Sequence, residues 1–113
     1  MRESELKLAV EQYLQYQENM GNLVFSRRNA GNAFVGEGEY RRRIKLGKPG
    51  ESDFHIECRG RSIYLELKGE RGKLSDAQED FRRKVEGQGA SYYAIWDFDP
   101  NDQDDLLMRA LWG

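Results

Sequence analysis

Residues 53–68 read DFHIECRGRSIYLELK, two runs of alternating apolar and polar side chains, Asp53 to Cys58 and Arg61 to Lys68, parted by Arg59 and Gly60. Successive side chains on a strand point to opposite faces. Phe54, Ile56 and Cys58 therefore share a face with Ile63, Leu65 and Leu67, while Asp53, His55 and Glu57 point the other way with Ser62, Tyr64, Glu66 and Lys68. A two-residue gap ending in Gly signals a tight β-hairpin. With Arg59 and Gly60 as the loop, Cys58 pairs with Arg61 and the register sets Asp53 opposite Glu66. Opposed residues have Cβ atoms about 4.5–5.5 Å apart. Two carboxylates at that range repel each other unless a cation lies between them, and oxygen donors suit a hard ion such as Mg²⁺ or Mn²⁺. Lys68, two residues along the same face, would stand beside that ion, where an ammonium can orient a water or stabilise charge on a phosphate. The same ladder can be read as solvated strand residues. Pro49 and Gly50 leading into Asp53, and the apolar neighbours of Glu66 and Lys68, favour the functional reading.

Working outward, residues 3–17 carry Leu6, Ala9, Val10, Tyr13 and Leu14 at helical spacing, and Asn19 to Gly21 stops them. Leu23 to Phe25 predicts a short strand, Arg27 to Asn32 a polar loop, and Tyr40 to Leu46 a further strand after mixed signals from residue 33. Gly47 to Ser52 is a turn, because Pro presets φ and the two Gly admit positive φ. Beyond the hairpin, Gly69 to Lys73 reads as a loop. Ser75-Asp76-Ala77-Gln78 matches a capping box, and Ala77, Phe81 and Val85 mark the buried stripe of a helix ended by Gly87 and Gly89. Ala90 to Trp96, nearly all apolar, predicts a central strand. Asp97 to Asn101 is a turn, and residues 102–111 predict a short helix with Leu106, Leu107, Ala110 and Leu111 as its apolar positions. Cys58 belongs to the core, Trp96 ends a buried strand, Trp112 anchors the last helix or a partner subunit, and His55 is a hydrogen-bonded sheet residue. The expected class is α/β, in the order α-β-β-β-α-β-α, with a central mixed β-sheet flanked by helices.

A chain of 113 residues is expected to form one domain, residues 1–113, and its single Cys excludes an intrachain disulfide. A mean hydropathy of −0.89 and the lack of long apolar runs exclude a membrane span and a secretory leader, so the expected place is the cytoplasm. The net charge of −2 argues against a generic nucleic-acid binder, but it averages unlike regions. Residues 97–113 hold five Asp against one Arg, which leaves 17 bases against 15 acids in residues 1–96. Within residues 27–48, seven bases stand against Glu37 and Glu39. Arg outnumbers Lys twelve to six, and the planar guanidinium suits bidentate phosphate contact.

The run from Gly47 through Pro49, Gly50 and Ser52 to Asp53, then twelve residues, then Glu66-Leu67-Lys68, then Gly72 to Gln78, resembles a stand-alone VRR-NUC domain. That family belongs to the PD-(D/E)XK nuclease superfamily and is related to archaeal Holliday junction resolvases. The similarity spans nearly the whole chain and is weakest at the acidic C-terminus. It departs from the superfamily name in one respect: no Pro is adjacent to Asp53. The resemblance implies a restriction-endonuclease-like core, with Asp53, Glu66 and the backbone carbonyl of Leu67 as metal ligands. It implies Lys68 as catalytic base or water-orienting group, and Gln78 contacting the site from its helix while also serving the capping box. It further implies an acid on the first helix, for which Glu3, Glu5 and Glu11 compete. Glu3 reaches Leu6 and Val10 at i+3 and i+7, whereas Glu5 and Glu11 lie far from the apolar stripe. Glu3 is the choice and Glu5 the next candidate.

The expected activity is a Mg²⁺- or Mn²⁺-dependent endodeoxyribonuclease. Arg27, Arg28, Asn29, Arg41, Arg42, Arg43, Lys45, Lys48 and Lys73 are the expected contacts to DNA phosphates. No recognition helix or zinc-finger spacing is present, so the expected target is DNA shape: a branched substrate such as a Holliday junction or flap. A twofold-symmetric junction needs two nicks, which suggests a homodimer, in a bacterial or phage-infected cell. Two other readings stand beside this one. The first is a DNA-binding module that does not cut, and the second a nuclease subunit that needs a helicase or other partner.

Overall fold

The computed structural model describes residues 1–27, 32–35, 42–45 and 50–113. The first helix, α1 (Glu3–Asn19), begins with Glu3 and Glu5 in its first turn, where negative charge suits the helix dipole. It buries Leu6, Val10 and Leu14, spaced four apart, and each such side chain contributes about 1.5–3 kcal/mol of apolar burial. Two residues longer than its periodicity predicts, α1 ends before Gly21, whose φ of +80° turns the chain.

Strands β1 (Val24–Arg27), β4 (Phe54–Cys58), β5 (Arg61–Leu67) and β6 (Ser91–Ile95) form a sheet in the order β1-β4-β5-β6. β2 (Asn32–Val35) and β3 (Arg42–Lys45) form a separate antiparallel pair in which Asn32 faces Lys45 and Phe34 faces Arg43. Helix α2 (Asp76–Gly87) connects β5 to the parallel strand β6, and α3 (Leu106–Trp112) follows. The architecture is α/β with a mixed four-stranded sheet, as expected. The order differs by β2, which stands where a loop and mixed signals were read, whereas β3 falls within the strand predicted over Tyr40 to Leu46; five strands precede α2, more than the order α-β-β-β-α-β-α holds.

The hairpin register matches the prediction. Phe54 pairs with Leu65 and Cys58 with Arg61, around Arg59 and Gly60 at φ +56° and +77°, both positive as a type I′ turn requires. Phe54, Ile56, Cys58, Ile63, Leu65 and Leu67 are all buried on one face, packed with α1, Leu107 and Leu111. Cys58 lies in this core, 1 % exposed.

On the opposite face, Phe81 of α2 packs edge-on against Tyr64 at 5.4 Å and Tyr92 at 6.4 Å between ring centroids. The predicted stripe of α2 is rotated by one residue at its start, because Gln78 rather than Ala77 turns toward the sheet, and Ala77 is exposed. β6 is not central. It closes the described sheet, with α2 packed against it and α3 packed against it too, so its apolar composition reports two covered faces rather than a middle position. Trp96, 40 % exposed, does not end a buried strand; its indole N–H donates to Gly72 O at 2.8 Å. Trp112 does anchor the last helix, donating to the Tyr13 hydroxyl at 2.8 Å.

The last helix starts at Leu106, not at 102, because the aspartates before it serve turns and a cap. Asp99 and Asp102 accept from backbone N–H groups two residues on, and Asp105 accepts from Met108 N at 3.1 Å. Leu106, predicted apolar and inward, is 45 % exposed as the first residue after that cap. Among the described residues, no helix is long and apolar enough to cross a membrane.

Candidate active site

Asp53 and Glu66 meet where β4 begins and β5 ends. Ser52, buried, donates its hydroxyl to Phe54 O at 3.1 Å and so closes the turn that delivers Asp53 to the strand. Upstream, Gly50 has φ +76° and passes so close to α2 that an added Cβ would lie 2.0 Å from the Ala77 carbonyl oxygen. Only Gly fits there. Asp53 lies one residue before the last register pair, Phe54 with Leu65; its Oδ2 accepts from Leu67 N at 2.8 Å and its charge acts on Glu66.

Glu66 is the buried member, with its side chain 7 % exposed. Its Oε1 accepts from Gln78 Nε2 at 2.9 Å and lies 3.8 Å from Lys68 Nζ. Its Oε2 is buried without a hydrogen-bond partner. Burial, and then the negative charge of Asp53, push the Glu66 carboxyl up to about 8, against the pull of Lys68. The other orphaned buried side-chain atom among the described residues is the Tyr92 hydroxyl, on the same face. Burial, followed by the Glu66 charge, holds that phenol above its ordinary range.

Gln78 ties Glu66 to Lys68. Its Oε1 accepts from Lys68 Nζ at 2.7 Å and from Ser75 N at 2.9 Å, while its Nε2 donates to Glu66. Both partners of Oε1 are donors and the partner of Nε2 is a carboxylate, so the amide orientation is dictated by its surroundings. The capping box is complete, with Gln78 N donating to Ser75 Oγ at 3.1 Å. Gln78 thus fills the structural role and the contact with Glu66 at once. Lys68, its side chain 13 % exposed, is held by that hydrogen bond over the rim of the pair.

Of the three α1 acids that compete for the site, Glu3 is the one connected to this cluster, through Lys7: Lys7 Nζ lies 3.7 Å from Glu3 Oε2 and 3.4 Å from Asp53 Oδ1. Glu5 pairs with Arg2, and Glu11 with Arg27. The sequence reading missed Lys7. The available signal was its i+4 spacing from Glu3, which puts both side chains on one flank of the helix.

Of the nine expected DNA contacts, only Arg27 and Lys73 have described surroundings. Arg28, Asn29, Arg41 and Lys48 lie outside the described residues, and Arg42, Arg43 and Lys45 are placed only as members of β3. Arg27 is exposed but ion-paired to Glu11 at 3.4 Å, so a phosphate would have to compete with that carboxylate. Lys73 is exposed beside the loop that leads to α2. His55 stacks on Tyr64 at 4.3 Å between ring centroids, with Nε2 2.7 Å from Ser62 Oγ, the arrangement of a hydrogen-bonded sheet residue. On the same face, toward the hairpin turn, a cleft of about 740 Å³ opens between Tyr64, Phe81, Lys84 and Gln88, and no acid lines it.

Among the described residues, no three His, Cys, Asp or Glu side chains gather closely enough to enclose a metal. Mg²⁺ does not demand such a cage. It is commonly held by one or two carboxylates, with waters and substrate phosphate completing the shell. The orphaned Glu66 oxygen and the facing Asp53 carboxylate are oxygen donors of the right chemistry, and the elevated Glu66 is what an acid pair lacking its cation displays. The residues fit a hard divalent ion. No protein-family model matches the chain, and no curated protein matches its sequence.

Proposed function

We propose that this protein is a metal-dependent DNA endonuclease with a restriction-endonuclease-like core, acting on branched DNA as a homodimer in the cytoplasm. The observation that carries the reading is the buried Glu66 oxygen without a partner, facing Asp53 and flanked by a lysine that Gln78 holds in place. Asp53, Glu66 and the Leu67 carbonyl would hold Mg²⁺ or Mn²⁺. Bound there, such an ion polarises a phosphoryl oxygen and makes a nearby water more acidic. Lys68 would orient the attacking water and balance charge building on the phosphate, because its ammonium cannot turn away without breaking the 2.7 Å bond to Gln78. Water adds to phosphorus, one P–O ester bond breaks, and the leaving oxygen takes up a proton. The acid-free cleft beside Tyr64 opens on the same face of the sheet as Glu66 and would offer a surface to the DNA strand.

A second reading, a module that binds DNA and cuts it only with a partner, is favoured by one observation: Asp53 is already ion-paired with Lys7. One assay separates the two. Purified protein is mixed with labelled four-way junction, flap, duplex and single strand, with and without Mg²⁺ or Mn²⁺. The nuclease reading expects metal-dependent nicking that Glu66→Ala and Lys68→Ala abolish while binding persists. Cleavage surviving in Glu66→Ala would reject this site, and tight binding without cleavage in either metal would support the second reading.

A further inference from the structure

The two oxygens of Asp53 are engaged in different ways. Oδ2 accepts the Leu67 N–H at 2.8 Å, a bond to backbone fixed in the sheet, whereas Oδ1 meets the Lys7 ammonium at 3.4 Å. A cation approaching Asp53 finds Oδ1 as the oxygen not committed to backbone, and Lys7 is there first. Its side chain is 33 % exposed, so leaving Asp53 would not strand its charge in the core. It also has another place to go: Glu3, one helical turn earlier, lies 3.7 Å from the same ammonium. The start of α1 is held beside the end of β5, since a Cβ on Gly69 would come within 3.7 Å of the Glu3 Cβ. Helix α1 therefore presents a tethered positive charge at the outer oxygen of Asp53.

We propose that Lys7 is a built-in counter-ion for Asp53 that a divalent cation must displace, and that it sets how readily the site loads. The inference rests on the metal-site reading above and names a regulation of that site. Two cations sharing one carboxylate oxygen repel each other, so the ammonium lowers the affinity of the free protein for the metal. Anything that draws Lys7 off Asp53, whether Glu3 or a phosphate of arriving DNA, raises that affinity. Lys7 acts through Asp53 and is a positioning residue.

The test is a Mn²⁺ titration of the full chain without DNA, read by calorimetry and by the paramagnetic signal of free Mn²⁺. Wild type, Lys7→Gln, Lys7→Met and Lys7→Arg are compared, with Glu66→Ala as the control for site occupancy. Removing the charge should tighten Mn²⁺ binding about tenfold, within the usual range for coupled binding events. Lys7→Arg, which keeps the charge, should stay near wild type. A purely structural lysine would not produce that split, and two neutral variants guard against one failing to fold. If wild type binds Mn²⁺ and Glu66→Ala does not, but both neutral variants match wild type or bind more weakly, the counter-ion role is overturned while the metal site stands. If wild type binds no Mn²⁺ and the neutral variants bind none either, the metal-site reading falls and the inference with it.

Discussion

In metal-free buffer near pH 8, Glu66→Gln should raise the melting temperature. The Glu66 carboxyl is pushed from 4.5 up to about 8 by burial first and by Asp53 second, so the folded protein keeps a proton that the unfolded chain releases above pH 4.5. Stability from this group is full below the unfolded value and falls by about 1.4 kcal/mol per pH unit as pH rises toward the folded value. It stops falling once the folded carboxyl ionises too. Across the window the loss is on the order of 4 kcal/mol, a large share of the roughly 5–15 kcal/mol that holds a domain of this size together. Gln has the same shape and no proton to lose. Its carbonyl can accept from Gln78 Nε2, and its amide can face Asp53 as a donor. At roughly 4 °C per kcal/mol for a chain of this length, the gain near pH 8 is on the order of 15 °C, shrinking toward zero below pH 4.5. Melting curves by circular dichroism across that range, in chelator and then in excess Mg²⁺, provide the check. Mg²⁺ should stabilise wild type, most of all at high pH, and leave the variant unmoved. Parallel melting temperatures for the two proteins at every pH would refute the argument from the buried acid.

Three further perturbations test the scaffold. Gln78→Leu removes the acceptor for both Lys68 and Ser75 N and the donor to Glu66; denaturant unfolding should show a loss of about 1–3 kcal/mol, from unsatisfied polar groups, and DNA nicking should drop with it. Gly50→Ala would force a Cβ into the Ala77 carbonyl at a φ of +76°, so the start of α2 must shift and carry Gln78 away from Glu66; a large fall in melting temperature with loss of Mg²⁺ stabilisation is the expected result. Arg59→Asn should stabilise by about 1 kcal/mol, because Asn tolerates the positive φ of the hairpin turn better than Arg, and an unchanged or lower melting temperature would count against the turn assignment.

The hairpin was legible because a two-residue loop leaves no freedom of register: once Arg59 and Gly60 take positive φ, every pair from Cys58 back to Phe54 follows by counting. The capping box was legible for a similar reason, being a local pattern with a local partner. What the sequence did not show depends on contacts between distant elements. The place of β6 at the end of the described sheet could not be read from its apolar run, since cover by α2 and α3 produces the same composition as a central position. Lys7 was invisible because its partner Asp53 is 46 positions away, and an i+4 pair with Glu3 looks like an ordinary surface bridge. The sequence reading counted the aspartates before α3 as charge and placed a helix from residue 102, whereas Asp99, Asp102 and Asp105 each spend a carboxylate oxygen on a backbone N–H.

One amide joins helix formation to the charge state of the site. Gln78 closes the first turn of α2 through Ser75, and the same side chain donates to Glu66 and accepts from Lys68. If the first turn of α2 frays, the amide leaves both groups together. Glu66 would lose the donor on Oε1, and Lys68 would lose the acceptor that fixes its ammonium. Weakening the cap at a distance from the acids, as Ser75→Ala would by removing the acceptor for Gln78 N, should therefore reach the site through the helix start alone. The order of α2 and the order of the acid–lysine cluster are one equilibrium, and whatever stabilises the cluster, a bound divalent cation included, should also protect the amides of Gln78 and Glu79, both bonded to Ser75, from hydrogen exchange.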